Sequence, residues 1–263
     1  MGRFGAFSGQ TPTGSGLYSA GNSGGGGGAA PLGSASNPAP NAEALRAAGI
    51  TTEGAYYISL PNVGSKLTYC APSSGFAGGG WMLAWKCTRG SRFSWGSNYW
   101  TSSNIYRETD MGRSDNDAKY DVFNNYSASA FLAIFPDIGR NGGQASGYGN
   151  GWSWLQTGQN STCLSRFQTQ SQISGNPRGQ NMWQGSGFSA QGGFQWYGFN
   201  YTGNGSHRVR WGFGWNNEGD QNSNDVQGGI GTQRGGSSAG DHIYCCQTTT
   251  GVNRTIRAEI WVR

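Results

Sequence analysis

The stretch Gly78-Gly79-Gly80-Trp81-Met82-Leu83-Ala84-Trp85-Lys86-Cys87 decides how this chain is read. Three successive glycines permit positive φ and close approach of another segment. The Trp that follows supplies a large ring to fix the turn over a core. From there to Cys87 the run is almost continuously apolar, which suits a strand covered on both faces and not an exposed edge. Working outward, Tyr56–Leu60 (YYISL) reads as a strand stopped by Pro61, and Lys66–Cys70 (KLTYC) as its hairpin partner across Asn62–Ser65. Ala128–Phe135 (ASAFLAIF) fits either period and is assigned to a strand. Trp152–Leu164, Phe194–Phe199, Val209–Trp215 and Thr255–Val262 are further strand candidates. Asn41–Ala48 (NAEALRAA) is the one convincing helix, capped by Asn41 and stopped at Gly49.

Composition agrees with strands and long ordered loops. The 263 residues include 48 glycines, about 18% against a usual share of roughly 7%. Hydrophobic residues are 35% and charged residues 12%, so a helical bundle is excluded. A core is built from 11 Trp, 12 Tyr and 12 Phe instead of many aliphatics. No run of about 18 apolar residues exists, so no membrane insertion is expected. No charged segment leading into an apolar core follows Met1, so no signal peptide is read there.

The net charge of +5 comes from arginines spread along the chain, without the dense basic and aromatic stripe of a nucleic-acid groove. Nucleic acid is therefore not an expected partner. Cys70, Cys87, Cys163, Cys245 and Cys246 include no C-x-x-C zinc spacing. The expectation is reduced, buried thiols, with a Cys70–Cys87 bridge as the alternative if the protein is extracellular.

Residues 1–40 differ from the rest. They hold the run Gly24–Gly28 and Pro31, Pro38 and Pro40, a composition unable to bury enough apolar surface to fold alone. Arg3, Phe4, Phe7, Leu17 and Tyr18 stand between small residues as anchors. The division expected is an anchoring arm over 1–40 and a recognition domain over 41–263.

A family resemblance rests on several motifs. Ala44–Gly49 followed by Thr51–Ile58, then Leu67-Thr68-Tyr69-Cys70 and Gly78–Leu83, resembles the opening of fibrinogen-like domains. Trp215-Asn216-Asn217-Glu218, the cluster Gly228–Gly231 and the closing Thr255–Arg263 resemble the intelectin branch of those lectins. Roughly residues 42–93 and 207–263 carry the likeness. The resemblance implies an α+β, fibrinogen C-terminal-like domain of mostly antiparallel strands and long loops. It also implies a calcium ion that bridges to glycan hydroxyls. Five cysteines are fewer than that family uses, and Gly240-Asp241-His242 matches its motifs only in part.

The densest polar stretch is Asn216–Asp225 (NNEGDQNSND). Asp220, Asn222 and Asn224 match the start of an EF-hand loop, but Asp225 and Gly231 stand where Gly and Glu are required. Another oxygen-rich Ca²⁺ loop remains open to Asn217, Glu218, Asp220, Asn222, Asp225 and Asp241. Trp211, Trp215, Tyr244 and His242 are the residues expected to wall a sugar. The bland alternative is an Asn/Asp-rich loop held by its own Asx turns.

Catalysis is not expected. His207 and His242 are the only histidines, and no G-x-S-x-G elbow places a serine beside either. Asp115, Asp117, Asp121 and Asp137 lie in one region and keep a glycan hydrolase as a third reading. The leading expectation is a non-enzymatic virion surface protein, a phage fibre or capsid-decoration subunit. Its arm would hold other virion proteins in an oligomeric assembly while the head binds host-surface glycan. The alternatives are a purely structural cement subunit and an extracellular setting.

Overall fold

The computed structural model describes residues 29–138, 152–175, 193–203, 207–220, 225–245 and 253–263. The first 28 residues of the expected arm, with the anchors Arg3 to Tyr18, therefore lie outside the described residues.

Two antiparallel sheets stack on one another. The first takes β1 (Gly54–Leu60), β2 (Gly64–Ala71), β3 (Trp81–Cys87), β4 (Ala118–Lys119), β5 (Ala128–Phe135), β6 (Trp152–Ser161) and β12 (Ala258–Val262), in the order β1-β2-β3-β12-β5-β6, with β4 on β3. The second takes β7 (Ile173–Ser174), β8 (Gln195–Thr202), β9 (Arg208–Trp215), β10 (Val226–Thr232) and β11 (Ala239–Ile243), in the order β11-β10-β9-β8-β7. Rings meet across the gap: Phe131 with Phe199 at 6.0 Å, Trp154 with Trp211 at 6.4 Å, and Trp154 with Phe213 at 6.4 Å. These edge-on and tilted contacts are the geometry aromatic quadrupoles favour.

This corrects the expected α+β, fibrinogen C-terminal-like class. Of the described residues, 42% are strand and 11% helix, the α-helical part in three short pieces. These are α1 (Ala42–Ala47), α2 (Asp121–Asn125) and α3 (Cys163–Gln168), none longer than 6 residues. Helices so short have no stability of their own and only cap the sheets. The protein is a β sandwich.

The triple-glycine strand sits in the centre, as its apolar run requires. Partner residues on β12 jump from Trp85↔Ile260 to Leu83↔Trp261, which leaves Ala84 as the extra residue of a bulge. The bulge flips the alternation. Met82, Ala84 and Trp85 join the core between the sheets, whereas Trp81 and Leu83 join a second cluster on the outer face with Phe76, Tyr120 and Trp261. Lys86 then falls outside, where its Nζ donates to Asp110 Oδ1 at 3.0 Å and Gly112 O at 2.9 Å. One strand thus serves two cores.

The N-terminal edge is covered as well. Tyr57 N donates to Gly33 O, Ala39 N donates to Tyr57 O and Ser59 N donates to Ala39 O, all within 2.9 Å. Residues 33–39 therefore belong to the body rather than to a free arm, and they blunt the β1 edge. Among the cysteines, Cys70, Cys87 and Cys163 are free and buried, as expected for reduced thiols. Cys245 departs from that expectation and is disulfide-bonded.

Two buried cations hold loops without a carboxylate. Lys119 Nζ donates to Tyr99 O (2.7 Å) and Ser102 O (2.6 Å) and lies 4.6 Å from the Phe123 ring centre. Burial pushes its pKa down to about 7. Arg210 donates twice to Trp95 O (2.9 and 2.7 Å) and stacks 4.0 Å from that indole.

Candidate functional site

The hairpin between β10 and β11 builds a site at the open end of the five-stranded sheet. Gly235 and Gly236 both have positive φ (+77° and +60°), which lets the turn reverse tightly. Thr232 and Ser237 close its base through backbone and hydroxyl hydrogen bonds. Ser238 then pins the turn to the loop after β3, accepting from Phe93 N at 2.9 Å and donating its own N–H to Gly90 O. The turn curls back over β10, because Gln227 Nε2 reaches Arg234 O at 3.2 Å. Gln227 faces His242 across the ladder, so their side chains share a face.

Four side chains meet there. The Arg234 guanidinium carbon stands 3.9 Å from the centre of the Tyr244 ring, and Nη1 lies 3.3 Å from His207 Nε2. The His207 ring meets Tyr244 edge-on at 5.7 Å. His242 lies beside the Gly235 backbone. Burial, then the charge of Arg234 and the neighbouring His207, lower the His242 pKa below the ordinary histidine value. Tyr244 is 62% exposed, the highest value among large hydrophobic side chains of the described residues. Arg234 and His242 are half-buried, and His207 is buried. The cluster offers a cation, two imidazoles and an accessible ring. Asp225, at the foot of β10, is close enough to His207 to feel its charge and accepts from Asn217 N at 3.1 Å.

Of the residues expected to hold calcium, Asn217 and Asp225 meet through the Asn217 N–H, whereas Asp241 is engaged elsewhere. Asp241 is buried and engaged by Arg254, whose N–H donates to Oδ1 (2.9 Å) and whose Nε donates to Oδ2 (2.6 Å). Burial raises its pKa. Asn217, Glu218 and Asp220 stay at the end of β9, and Asn222 lies outside the described residues. Among the described residues no group of three or more His, Cys, Asp and Glu side chains is placed to hold a metal ion.

The expected sugar wall is also corrected in part. Trp211 and Trp215 are fully buried. They alternate with Gly212 and Gly214 along β9, so with Phe213 they fall into the core between the sheets. Neither offers a face to a ligand. His242 and Tyr244 do reach the surface, with half-buried Arg234 beside them and buried His207 behind, neither of which the sequence nominated.

The carboxylates of the hydrolase reading are dispersed into ion pairs. Arg89 bridges Asp115 (2.5 Å) and Asp137 (2.6 Å), Arg92 holds Asp117 (3.3 Å), and Lys66 holds Asp121 (2.8 Å). Burial works against the Asp115 carboxylate, but hydrogen bonds from Thr88 and Arg89 outweigh it and leave its pKa low. A general acid needs the opposite. A cleft of about 260 Å³ beside Lys66, Leu67, Met111 and Asp121 is crossed by the Lys66–Asp121 pair and is smaller than the usual 300–1,000 Å³ ligand pocket.

No protein-family model matches the chain, and no curated protein matches it. The lectin resemblance stands on its motifs alone.

Proposed function

We propose that this chain is a non-enzymatic recognition module that binds carbohydrate at the open end of its five-stranded sheet. The observation that carries this reading is the exposed Tyr244 ring, held at the edge of a rigid sandwich beside His207, Arg234 and His242. A sugar presents an apolar ring face and a rim of hydroxyls. An accessible aromatic bordered by fixed hydrogen-bonding groups complements both. The non-catalytic part of the reading draws support from the ion pairs that engage Asp115, Asp117, Asp121 and Asp137.

Recognition in this reading uses side chains directly and does not pass through calcium. A virion surface with a host glycan as ligand is the setting proposed from the sequence. The tether would then be the part of residues 1–40 that precedes the Gly33–Ala39 clamp on β1. The test is retention of the full chain on an immobilised glycan panel in EDTA, for wild type and Tyr244→Ala. Retention that is lost in the variant, with folding intact, supports the module. Absence of retention on every glycan overturns it and leaves a structural assembly subunit.

A further inference from the structure

We infer that Arg234, with His207 and His242, forms a subsite for an acidic substituent, a carboxylate or sulfate ester, carried by the bound sugar. The inference rests on the carbohydrate reading above and narrows its substrate class.

The described arginines fall into two groups, those paired with a carboxylate and those, Arg234 among them, that are not. Arg46, Arg89, Arg92, Arg113, Arg254 and Arg257 each reach an Asp or Glu oxygen. Arg234 makes no ion pair among the described residues; its guanidinium meets one imidazole and one ring face. Guanidinium carries five N–H donors in a planar fork that matches carboxylate and sulfate oxygens. The fork is held in place from both sides. Gln227 fixes the Arg234 backbone carbonyl, and Tyr244 covers one face of the guanidinium plane. Donors therefore remain along the edge of a pre-oriented, half-buried group, an arrangement suited to a planar anion.

The two imidazoles sharpen this. They come from opposite flanks of the site, His207 from the approach to β9 and His242 from β11, and both lie close to the Arg234 charge. In the free protein burial, then that charge, disfavours protonation of His242. A bound anion offsets the Arg234 charge and favours the doubly protonated His242, so affinity is expected to rise as pH falls through the histidine range. Asp225, at the start of β10, lies close enough to His207 to feel its charge, and Glu218 after β9 lies close to Asp225. Asp225 already accepts from the Asn217 backbone. Tyr244 supplies the accessible ring for the rest of the sugar.

The test uses the full chain with three polysaccharides, dextran sulfate, polygalacturonate and unsubstituted dextran, at about 0.15 M ionic strength to screen diffuse charge. Wild type, Arg234→Gln, His242→Gln and Arg107→Gln are compared; Arg107 is an exposed arginine stacked on Tyr106, remote in sequence from the cluster. The expected result is an acidic polymer binding at least tenfold tighter than dextran, with Arg234→Gln erasing the difference and Arg107→Gln preserving it. The tighter of the two acidic polymers identifies the substituent. Wild type should also gain affinity for it from pH 7.5 to 5.5, and His242→Gln should gain less. That pH comparison keeps the test open if Arg234→Gln does not fold. Equal losses in Arg234→Gln and Arg107→Gln would mean attraction by the overall +5 charge, and overturn the subsite. Equal binding of all three polymers, lost only in Tyr244→Ala, would overturn the acidic subsite while leaving the carbohydrate reading intact. No binding to any polymer or glycan would overturn both.

Discussion

Arg254 encloses the buried carboxylate of Asp241, giving its backbone N–H to one oxygen at 2.9 Å and its Nε to the other at 2.6 Å. This pair ties the strand that carries His242 to the segment leading into β12. Removing the carboxylate takes this acceptor away from the Arg254 backbone N–H and Nε. Asp241→Ala is expected to lower stability by about 1–3 kcal/mol, the cost of a buried hydrogen-bond donor that loses its acceptor while the Arg254 head stays partly exposed. Asp241→Asn should cost less, because its amide oxygen still accepts from the Arg254 backbone. Urea denaturation measures both. Adding Ca²⁺ should move neither midpoint, and a calcium-dependent rise confined to the wild type would restore Asp241 as a ligand.

Gly79 tests the motif from which the fold was read. Its φ is +82°, and a methyl group there would collide with the Pro72 carbonyl oxygen and crowd the Arg46 side chain. Strain and collision act together, so Gly79→Ala is expected to cost about 2 kcal/mol or more. The loss should appear as a lower denaturation midpoint with an unchanged m-value. A change under about 0.5 kcal/mol would mean the loop relaxes freely and the glycine run is dispensable.

How far the sequence carried the fold can be judged on particular strands. Trp81–Cys87 was legible because a continuous apolar run has to be central, and the observed strand has those same limits. The bulge at Ala84 was not, since it depends on how β12, almost at the end of the chain, aligns with β3. β10 was missed for a different reason. Its Gly228, Gly229 and Gly231 look like loop residues, yet Gly228 leaves room for the Phe213 ring from the next strand. Strand glycines of this kind are set by tertiary contact, which local propensity does not see. The site was legible only in Tyr244 and His242. His207 and Arg234 reach it because the β9–β10–β11 meander and its curled turn bring distant positions together.

Lys119 makes stability depend on pH. Its folded pKa is near 7, whereas the unfolded value is 10.5. Below pH 7 both states carry the proton and the cost of burying the charge is present in full. Between about 7 and 10.5 the unfolded chain binds more protons, so stability rises with pH. Every tenfold difference in proton affinity between the two states is worth about 1.4 kcal/mol. Lys119→Met removes this group, so the wild type should gain stability relative to the variant from pH 7 to pH 10. Denaturation curves for both proteins across that range isolate the effect. A constant difference would mean that the Tyr99 and Ser102 carbonyls and the Phe123 ring hold the charged amine as well as water does.

Trp211 and Tyr244 should separate folding from recognition. Trp211 is fully buried and stacks on Phe199 at 4.9 Å, with Trp154 and Phe131 also against it. Trp211→Ala empties the gap between the sheets and is expected to cost about 3–5 kcal/mol. Binding by whatever fraction remains folded should be unchanged, because the ring presents no surface. Tyr244 is 62% exposed, so Tyr244→Ala should stay within about 1 kcal/mol of wild type, most of it the lost stacking with Arg234. Its glycan retention should fall at least tenfold. The two variants are scored by thermal melting and by retention at a temperature where both are folded. If Trp211→Ala lost binding while folded, or Tyr244→Ala kept it, the recognition surface would have to lie elsewhere than at the β10–β11 turn.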